Sequence, residues 1–231
     1  MDIKFFGFEP LSLVDFDGKL TCTIFTKACN LRCPFCHNAS LVLDQSLKTY
    51  SFEEIYEFLS SRKNMLDAVC ISGGEPTLMK NIVEAIKMIK ELGYLIKLDT
   101  NGTNPDVIQE LIDQKLIDYI AMDIKNSLDA YHTTCGLASL NLFNIQKSIN
   151  IIQNSNIDYE FRTTLVKEFH TIDNIKKISE WIVNPKRFYL QKFVDRDTCL
   201  QHDLHEIDLE TAKSFKKVLK EKFNFVELRG Y

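Results

Sequence analysis

Six times along this chain a short apolar segment is followed by a segment of helical periodicity. The strand-like segments are residues 20–26, 68–72, 95–100, 119–124, 159–166 and 188–194. Between them, apolar residues recur at helical spacing, as in Ile82, Val83, Ile86 and Ile89, or Ile145, Ile149 and Ile152. Such alternation calls for parallel strands joined by helical crossovers. Crossovers are right-handed, so the helices cover one face while the winding keeps its sense. A closed eight-unit barrel takes about 250 residues. Six units in 231 residues therefore point to an incomplete (β/α)6 barrel, parallel strands with outer helices, open on one side. A doubly wound sheet has the same periodicity and is the competing architecture. No linker interrupts the pattern, so residues 1–231 read as a single domain. Residues 1–19 form an N-terminal lead-in, and residues 200–231 hold a C-terminal helix, capped by Asp208, and a short strand at 225–228.

Local signals place the helix ends. Ser51 and Glu54 make a capping box. Asn104-Pro105 reads as an N-cap with proline at the first helical position. Gly93 stops the helix after Leu92. No apolar run approaches the roughly 20 residues of a membrane span, and MDIKFFGFEP lacks the features of a signal peptide. A cytoplasmic setting follows as the expectation. The net charge of −4 gives no field that favours phosphate, so a nucleic-acid partner is not expected.

Seven cysteines in a reducing compartment argue for metal binding or catalysis rather than a disulfide framework. Cys29, Cys33 and Cys36 form a C-x3-C-x2-C run in the loop after the first strand. Three thiolates within eight residues can converge on one soft metal centre, and iron–sulfur clusters are held by cysteine thiolates. Three ligands leave one iron of a 4Fe–4S cluster open, and open positions are where metal sites do chemistry. A zinc site completed by His37, and three unrelated buried cysteines, remain open at this point.

Other polar residues sit at the exits of later strands. The chain has only 8 glycines, yet two are adjacent in Ser72-Gly73-Gly74-Glu75-Pro76, where a ligand could approach the backbone. Glu75 adds a carboxylate suited to an ammonium group. Asp99-Thr100-Asn101-Gly102 and Asp123-Ile124-Lys125 follow the third and fourth strands. Arg162 is an unpaired-looking cation in the fifth, and Gln191 lies near the end of the sixth. Taken singly, each has a bland reading as a turn, cap or ion pair. Together they fall at the C-terminal strand ends, where parallel α/β folds gather their active sites.

The cysteine run resembles the hallmark of the radical S-adenosylmethionine (radical SAM) superfamily. Its flanks, Gly7-Phe8, Leu13-Val14-Asp15-Phe16-Asp17-Gly18-Lys19 and Cys29-Asn30-Leu31-Arg32-Cys33-Pro34-Phe35-Cys36-His37-Asn38, are similar to glycyl-radical enzyme activating enzymes. Within these they look most like the short activators of anaerobic ribonucleoside-triphosphate reductase. The resemblance implies that Cys29, Cys33 and Cys36 hold a 4Fe–4S cluster whose open iron is chelated by SAM. It implies that Gly73, Gly74 and Glu75 hold the methionine amino group. Asp99 and Thr100 would face a monovalent cation with Asp123 and the Ala121 carbonyl, with Asn101 beside them. Lys125 would lie near SAM or the peptide substrate, Arg162 would neutralise the SAM carboxylate, and Gln191 would touch the adenosine. Flavodoxin or ferredoxin is the implied reductant, and the large subunit of the anaerobic reductase the implied partner. The chemistry implied is reductive cleavage of SAM and hydrogen abstraction from a partner glycine.

Two other functions fit parts of the pattern. One is a radical SAM enzyme acting on a small molecule, like 7-carboxy-7-deazaguanine synthase. The other is a non-enzymatic iron–sulfur or zinc protein. Cys22 and Cys70 read as buried apolar residues, while Cys135 and Cys199 look isolated, which argues against a second cluster. His132, His170, His202 and His205 read as solvated loop residues, and the Lys213 to Lys222 stretch as a solvated helix face. The terminal Arg229-Gly230-Tyr231 is similar to the motif around a glycyl radical, but the proteins that house such radicals are much larger, so it reads as a short ending.

Overall fold

A computed structural model describes residues 3–43 and 48–231. In chain order the elements are β1 (Lys4–Phe5), β2 (Gly7–Ser12), β3 (Thr21–Thr26), α1 (Ala39–Leu43), β4 (Tyr50–Ser51), α2 (Phe52–Ser61), β5 (Ala68–Gly73), α3 (Ile82–Glu91), β6 (Leu95–Thr100), α4 (Pro105–Asp113), β7 (Tyr119–Asp123), α5 (Tyr131–Thr134), α6 (Leu142–Asn154), β8 (Asp158–Leu165), α7 (Ile172–Trp181), β9 (Phe188–Lys192), α8 (Leu209–Lys220) and β10 (Val226–Arg229). A single 3₁₀ turn, Pro76–Leu78, follows β5.

Eight strands form one sheet in the order β10-β9-β8-β7-β6-β5-β3-β2. Every pair from β3 to β10 is parallel, and β2 runs antiparallel to β3. Spatial order thus follows sequence order without reversal. That excludes the doubly wound sheet, which needs a switch point where the order reverses. The result is the partial barrel expected, with β2 and β10 as its two edges. The sequence reading lacked the strands of the lead-in and the pairing of the C-terminal strand, which itself lies where expected. The lead-in contributes β2 as an antiparallel hairpin partner and β1 as the partner of β4. β10 is a seventh parallel strand, paired with β9 from Val226 opposite Phe188 to Arg229 opposite Gln191.

Local chemistry explains the helix starts. Ser51 Oγ accepts the Glu54 N–H at 3.2 Å and Glu54 Oε2 accepts the Ser51 N–H at 2.7 Å, closing the expected capping box on α2. Asp208 accepts the Thr211 N–H at 2.9 Å at the start of α8. Pro105 opens α4 as expected, but Asn104 does not cap it. Its side-chain amide instead donates to Thr77 O at 2.8 Å, tying α4 to the turn after β5. Each of the longer helices buries a stripe, for example Ala85, Ile86 and Ile89 of α3 or Ile145, Ile149 and Ile152 of α6. These stripes join the strand residues in one hydrophobic cluster. Among the described residues no helix is long and apolar enough to cross a membrane.

Because side chains alternate along a strand, one face of β6–β8 carries polar groups. Lys97, Asp99, Tyr119, Asp123, Glu160, Arg162 and Thr164 share that parity. Near the N-terminal ends, Glu160 is 2% exposed. It accepts from Arg229 Nη1 at 2.8 Å, Arg229 Nη2 at 3.0 Å and Tyr119 Oη at 3.0 Å. Arg229 also reaches Asp17 at 3.4 Å and lies 3.8 Å from the Tyr189 ring centroid. Arg229, in the short ending, therefore clamps the last strand to the lead-in and the barrel interior.

Candidate active site at the C-terminal strand ends

The exits of β3, β5, β6, β7 and β8 converge on one cavity of about 200 Å³. Its lining includes Cys29, Cys33, Cys36, Gly73, Gly74, Glu75, Asp99, Thr100, Asn101, Asp123, Lys125 and Arg162. Gln191 and Ala121 are not among the described lining residues. Gln191 pairs with Thr164 across β8 and β9, and Thr164 is the residue that reaches the cavity there. Thr164 was missed from sequence, although it follows Arg162 by two and so shares its face. Lys97, two before Asp99 on the same face, lines a separate cavity near the N-terminal strand ends. Ser72, Asn38 and Phe35 also line the first cavity.

The glycine pair lines the cavity and also packs against the chain itself. A Cβ on Gly73, whose φ is +118°, would lie 2.4 Å from Thr26 N and O. One on Gly74 would lie 1.9 Å from Ala28 O. The close approach is therefore made by the chain itself: Gly74 N–H donates to Thr26 O at 3.0 Å and Glu75 N–H to Ala28 O at 2.7 Å. Ala28 takes a left-handed φ of 66°, uncommon without glycine, at the head of the cysteine loop. From the other side Asn38 Nδ2 donates to Gly73 O at 2.9 Å.

Glu75 lines the same cavity. It is fully buried, and its carboxylate is already occupied. Oε1 accepts from Thr77 N at 3.2 Å, Thr77 Oγ1 at 2.6 Å and Thr100 Oγ1 at 2.7 Å. Oε2 accepts from Asn101 N at 2.6 Å. Burial pushes its carboxyl above the usual range, against these donors. These four accepted bonds make it a strut between the β5 and β6 exits. Asn101 passes that order to the cysteines, with Nδ2 3.6 Å from Cys29 Sγ and 3.0 Å from Asn30 Oδ1.

Arg162 is not unpaired. Its Nε donates to Asp123 Oδ1 at 2.6 Å and its Nη2 lies 3.3 Å from Asp99 Oδ2. Lys125 Nζ meets the other Asp123 oxygen at 2.8 Å, and Lys97 Nζ lies 3.6 Å from Asp99 Oδ1. Despite its burial, Asp123 is held well below the ordinary carboxylate range by Arg162 and Lys125. His170, expected to be solvated, is 3% exposed. Its ring bridges Val166 N at 3.0 Å and Lys125 O at 2.9 Å, so it holds the Lys125 backbone, and burial lowers its pKa.

The three cysteines are free thiols. Burial raises Cys29 to about 11 and also raises Cys36. Cys33 alone moves down, to about 7, because Cys135 hydrogen-bonds to it. Cys135 is thus a neighbour of the run and not isolated. Among the described residues no three Cys, His, Asp or Glu side chains close round a single metal ion. Irons that each take one thiolate do not require the sulfurs to meet at a point. His37, the fourth ligand of the zinc reading, has its Nε2 2.8 Å from Val194 O and its ring stacked on Phe193. Soft donors lining a polar-edged cavity fit an iron–sulfur cluster.

A partial parallel barrel with a three-thiol loop at its first strand exit defines a class of enzyme. The sequence model of the radical SAM superfamily matches residues 23–182, and the chain belongs to that superfamily. Membership implies a 4Fe–4S cluster and SAM. A Methanocaldococcus jannaschii protein assigned as a glycyl-radical enzyme activating enzyme is 37% identical over 198 residues, covering 83% of this chain and 80% of the relative. The pyruvate formate-lyase-activating enzyme of Clostridium pasteurianum is 27% identical over 232 residues, covering 92% of this chain and 95% of the relative. SuiB of Streptococcus suis, a crystal structure bound to S-adenosylmethionine, shares the fold with a TM-score of 0.69 at 16% identity, covering 89% of this chain and 49% of that one.

Proposed function

We propose that this chain is a glycyl-radical enzyme activating enzyme and that its partner is an anaerobic ribonucleoside-triphosphate reductase. The observation that carries the activating function is the gathering of three thiols, a glycine-edged strand exit and two paired cations in one cavity, in a chain similar along most of its length to assigned activators. The partner rests on the similarity of the lead-in, Leu13 to Lys19, to short reductase activators.

Cys29, Cys33 and Cys36 would hold the cluster. When bound, the cluster supplies the electron that cleaves SAM to methionine and a 5′-deoxyadenosyl radical, which takes a hydrogen from the partner glycine. Flavodoxin or ferredoxin would deliver that electron. The chain's own residues bind and orient. Arg162 presents a guanidinium to the methionine carboxylate, a geometry suited to bidentate pairing. Asp99 and Asp123 hold that guanidinium in place, and Lys125 adds a second cation. Asp99 and Asp123, the carboxylates expected to face a monovalent cation, both meet Arg162. Glu75, Thr100 and Asn101 keep the strand exits in register. An open-sided barrel admits a protein loop.

The test is anaerobic cluster reconstitution, reduction, and incubation with SAM and the reductase large subunit. A glycine-centred radical in the electron paramagnetic resonance spectrum is the expected result. 5′-Deoxyadenosine without that signal would remove the partner and leave the superfamily chemistry. Cys33→Ala is expected to abolish SAM cleavage, and retained cleavage would overturn the cluster assignment.

A further inference from the structure

Among the described residues, the Cys29 sulfur accepts two hydrogen bonds. Leu31 N–H reaches it at 3.4 Å and the Asn101 side-chain amide at 3.6 Å, spans that suit the larger radius of sulfur. The first bond is local to the cysteine loop. The second crosses from the exit of β6, 72 positions away. Asn101 is 5% exposed, and its amide is bound at both ends. Its Oδ1 accepts from Thr103 N at 2.9 Å and from Thr103 Oγ1 at 2.7 Å. The Thr103 N–H is a donor that cannot re-aim, so it fixes the amide oxygen on its own side and leaves the nitrogen towards Cys29. Nδ2 also donates to Asn30 Oδ1 at 3.0 Å, and Asn30 Nδ2 donates back to Thr103 Oγ1 at 2.9 Å. The backbone is tied as well, with Asn101 N–H on Glu75 Oε2 at 2.6 Å. Asn101 therefore presents one amide hydrogen to Cys29 from a closed ring of partners.

We propose that Asn101 is a positioning residue that donates an N–H···S hydrogen bond to the Cys29 thiolate and thereby raises the reduction potential of the cluster. Donors to ligating sulfurs stabilise the reduced, more negative state, because a hydrogen bond strengthens with the charge on its acceptor. Such outer partners also orient the ligand they touch. Asn101 suits this task because its other bonds already hold the amide in place, so no group has to turn when the electron arrives. The inference rests on Cys29 being a cluster ligand.

The experiment uses the full chain, reconstituted anaerobically, with Asn101→Leu and Thr103→Val compared with the parent in a redox titration followed by electron paramagnetic resonance. Leucine fills the space without a donor. Valine at 103 loosens the ring of partners but keeps the backbone N–H at 103 and the Asn101 donor. Asn101→Leu is expected to lower the reduced-to-oxidised ratio at fixed potential about tenfold, which for one electron is about 59 mV towards negative values. Thr103→Val is expected to retain most of the parent potential. A second readout uses chains grown with asparagine carrying an isotopic label on its side-chain nitrogen. The reduced parent cluster is expected to show a hyperfine coupling to that nitrogen, and Asn101→Leu to lose it. Both readings are taken per assembled cluster, so partial loading does not enter them. Equal potentials in parent and Asn101→Leu, an equal shift in both variants, or a coupling absent from the parent or unchanged by Asn101→Leu would overturn the proposal. If Asn101→Leu assembles no cluster, Asn101→Asp takes its place under the same outcomes, since it keeps the acceptor for Thr103 N–H and lacks the donor. If neither assembles one, the coupling in the parent decides, its presence supporting the proposal and its absence overturning it. A parent chain that holds no cluster would instead overturn the functional reading beneath it.

Discussion

Glu75 separates two accounts of the glycine-rich exit after β5. If it is a strut, its removal is a stability event. If it faces a ligand, its removal is a binding event. In Glu75→Leu, Thr77 and Thr100 hydroxyls can re-aim, but the backbone N–H groups of Thr77 and Asn101 are fixed donors. At about 1–3 kcal/mol for each orphaned donor, the loss is about 2–6 kcal/mol. With about 2–4 °C per kcal/mol at this chain length, Tm falls by about 4–24 °C. Glu75→Gln is a finer probe. Its oxygen can keep Asn101 N–H while its amide donates to the two hydroxyls, so one 3.2 Å bond from Thr77 N is lost. That resembles the loss of a cap, about 0.5–2 kcal/mol. The assay is thermal unfolding of the chain beside calorimetric SAM titration of the reconstituted protein. Leucine is expected to lower Tm strongly, and glutamine to lower it slightly while keeping SAM affinity. A glutamine variant with parental Tm and lost SAM affinity would refute the strut and restore the carboxylate to a ligand.

Three other perturbations test separate parts of the structure. Gly74→Ala places a Cβ 1.9 Å from Ala28 O, so the cysteine loop must move, and iron and sulfide per chain after reconstitution should fall; full occupancy with parental Tm would contradict the packing. Arg162→Met removes the guanidinium from Asp99 and Asp123, and at about 1.5–3 kcal/mol for a bond to a charged group SAM should bind about 10- to 100-fold more weakly; unchanged affinity by calorimetry would remove Arg162 from the ligand. Arg229→Leu leaves Glu160 buried without its cation, at a cost of about 3–5 kcal/mol read as a lower midpoint in urea. Burial alone would raise the Glu160 carboxyl, but Arg229, Arg162 and Lys97 outweigh it and hold it low. A depressed folded pKa stabilises the fold above the unfolded value of about 4.3 and is lost as pH falls through the folded one. Acid unfolding of the parent should show that loss, and Arg229→Leu should lack it.

The sequence made legible whatever depends on period and on neighbours along the chain. Strand positions follow from apolar runs, and the caps at Ser51 and Asp208 from residues three apart. The site's location follows from strand exits carrying polar residues. What it could not show is which loops lie against which. Arg229 and Glu160 are 69 positions apart, and nothing in either local pattern names the other. Glycines 73 and 74 advertised a close approach, but not that the approaching group is the chain between Thr26 and Ala28. The single cysteine at 135 carries no spacing signal, so only the fold brings it to Cys33.

These unseen contacts share a target. Gly73 and Gly74 clasp the loop at residues 26 and 28, Asn101 reaches Cys29 and Asn30, and Cys135-Gly136 lies against Arg32 and Cys33. Leu41 O accepts from Ala28 N–H at 3.1 Å on the remaining side. A loop of this length left to itself would sample many arrangements, and ordering it costs about 1–2 kcal/mol per residue. Here that cost is met during folding, by elements that have no other reason to meet at this point. A site that must hold three thiols and a strand exit within bonding reach of one another gains from such a rigid surround, because misplacement by an ångström is costly. The fastenings therefore predict a pattern of their own. Substitutions at 74, 101 and 136 should each lower cluster occupancy although none is a ligand, and pairs of them should be less than additive, because each acts through the same loop.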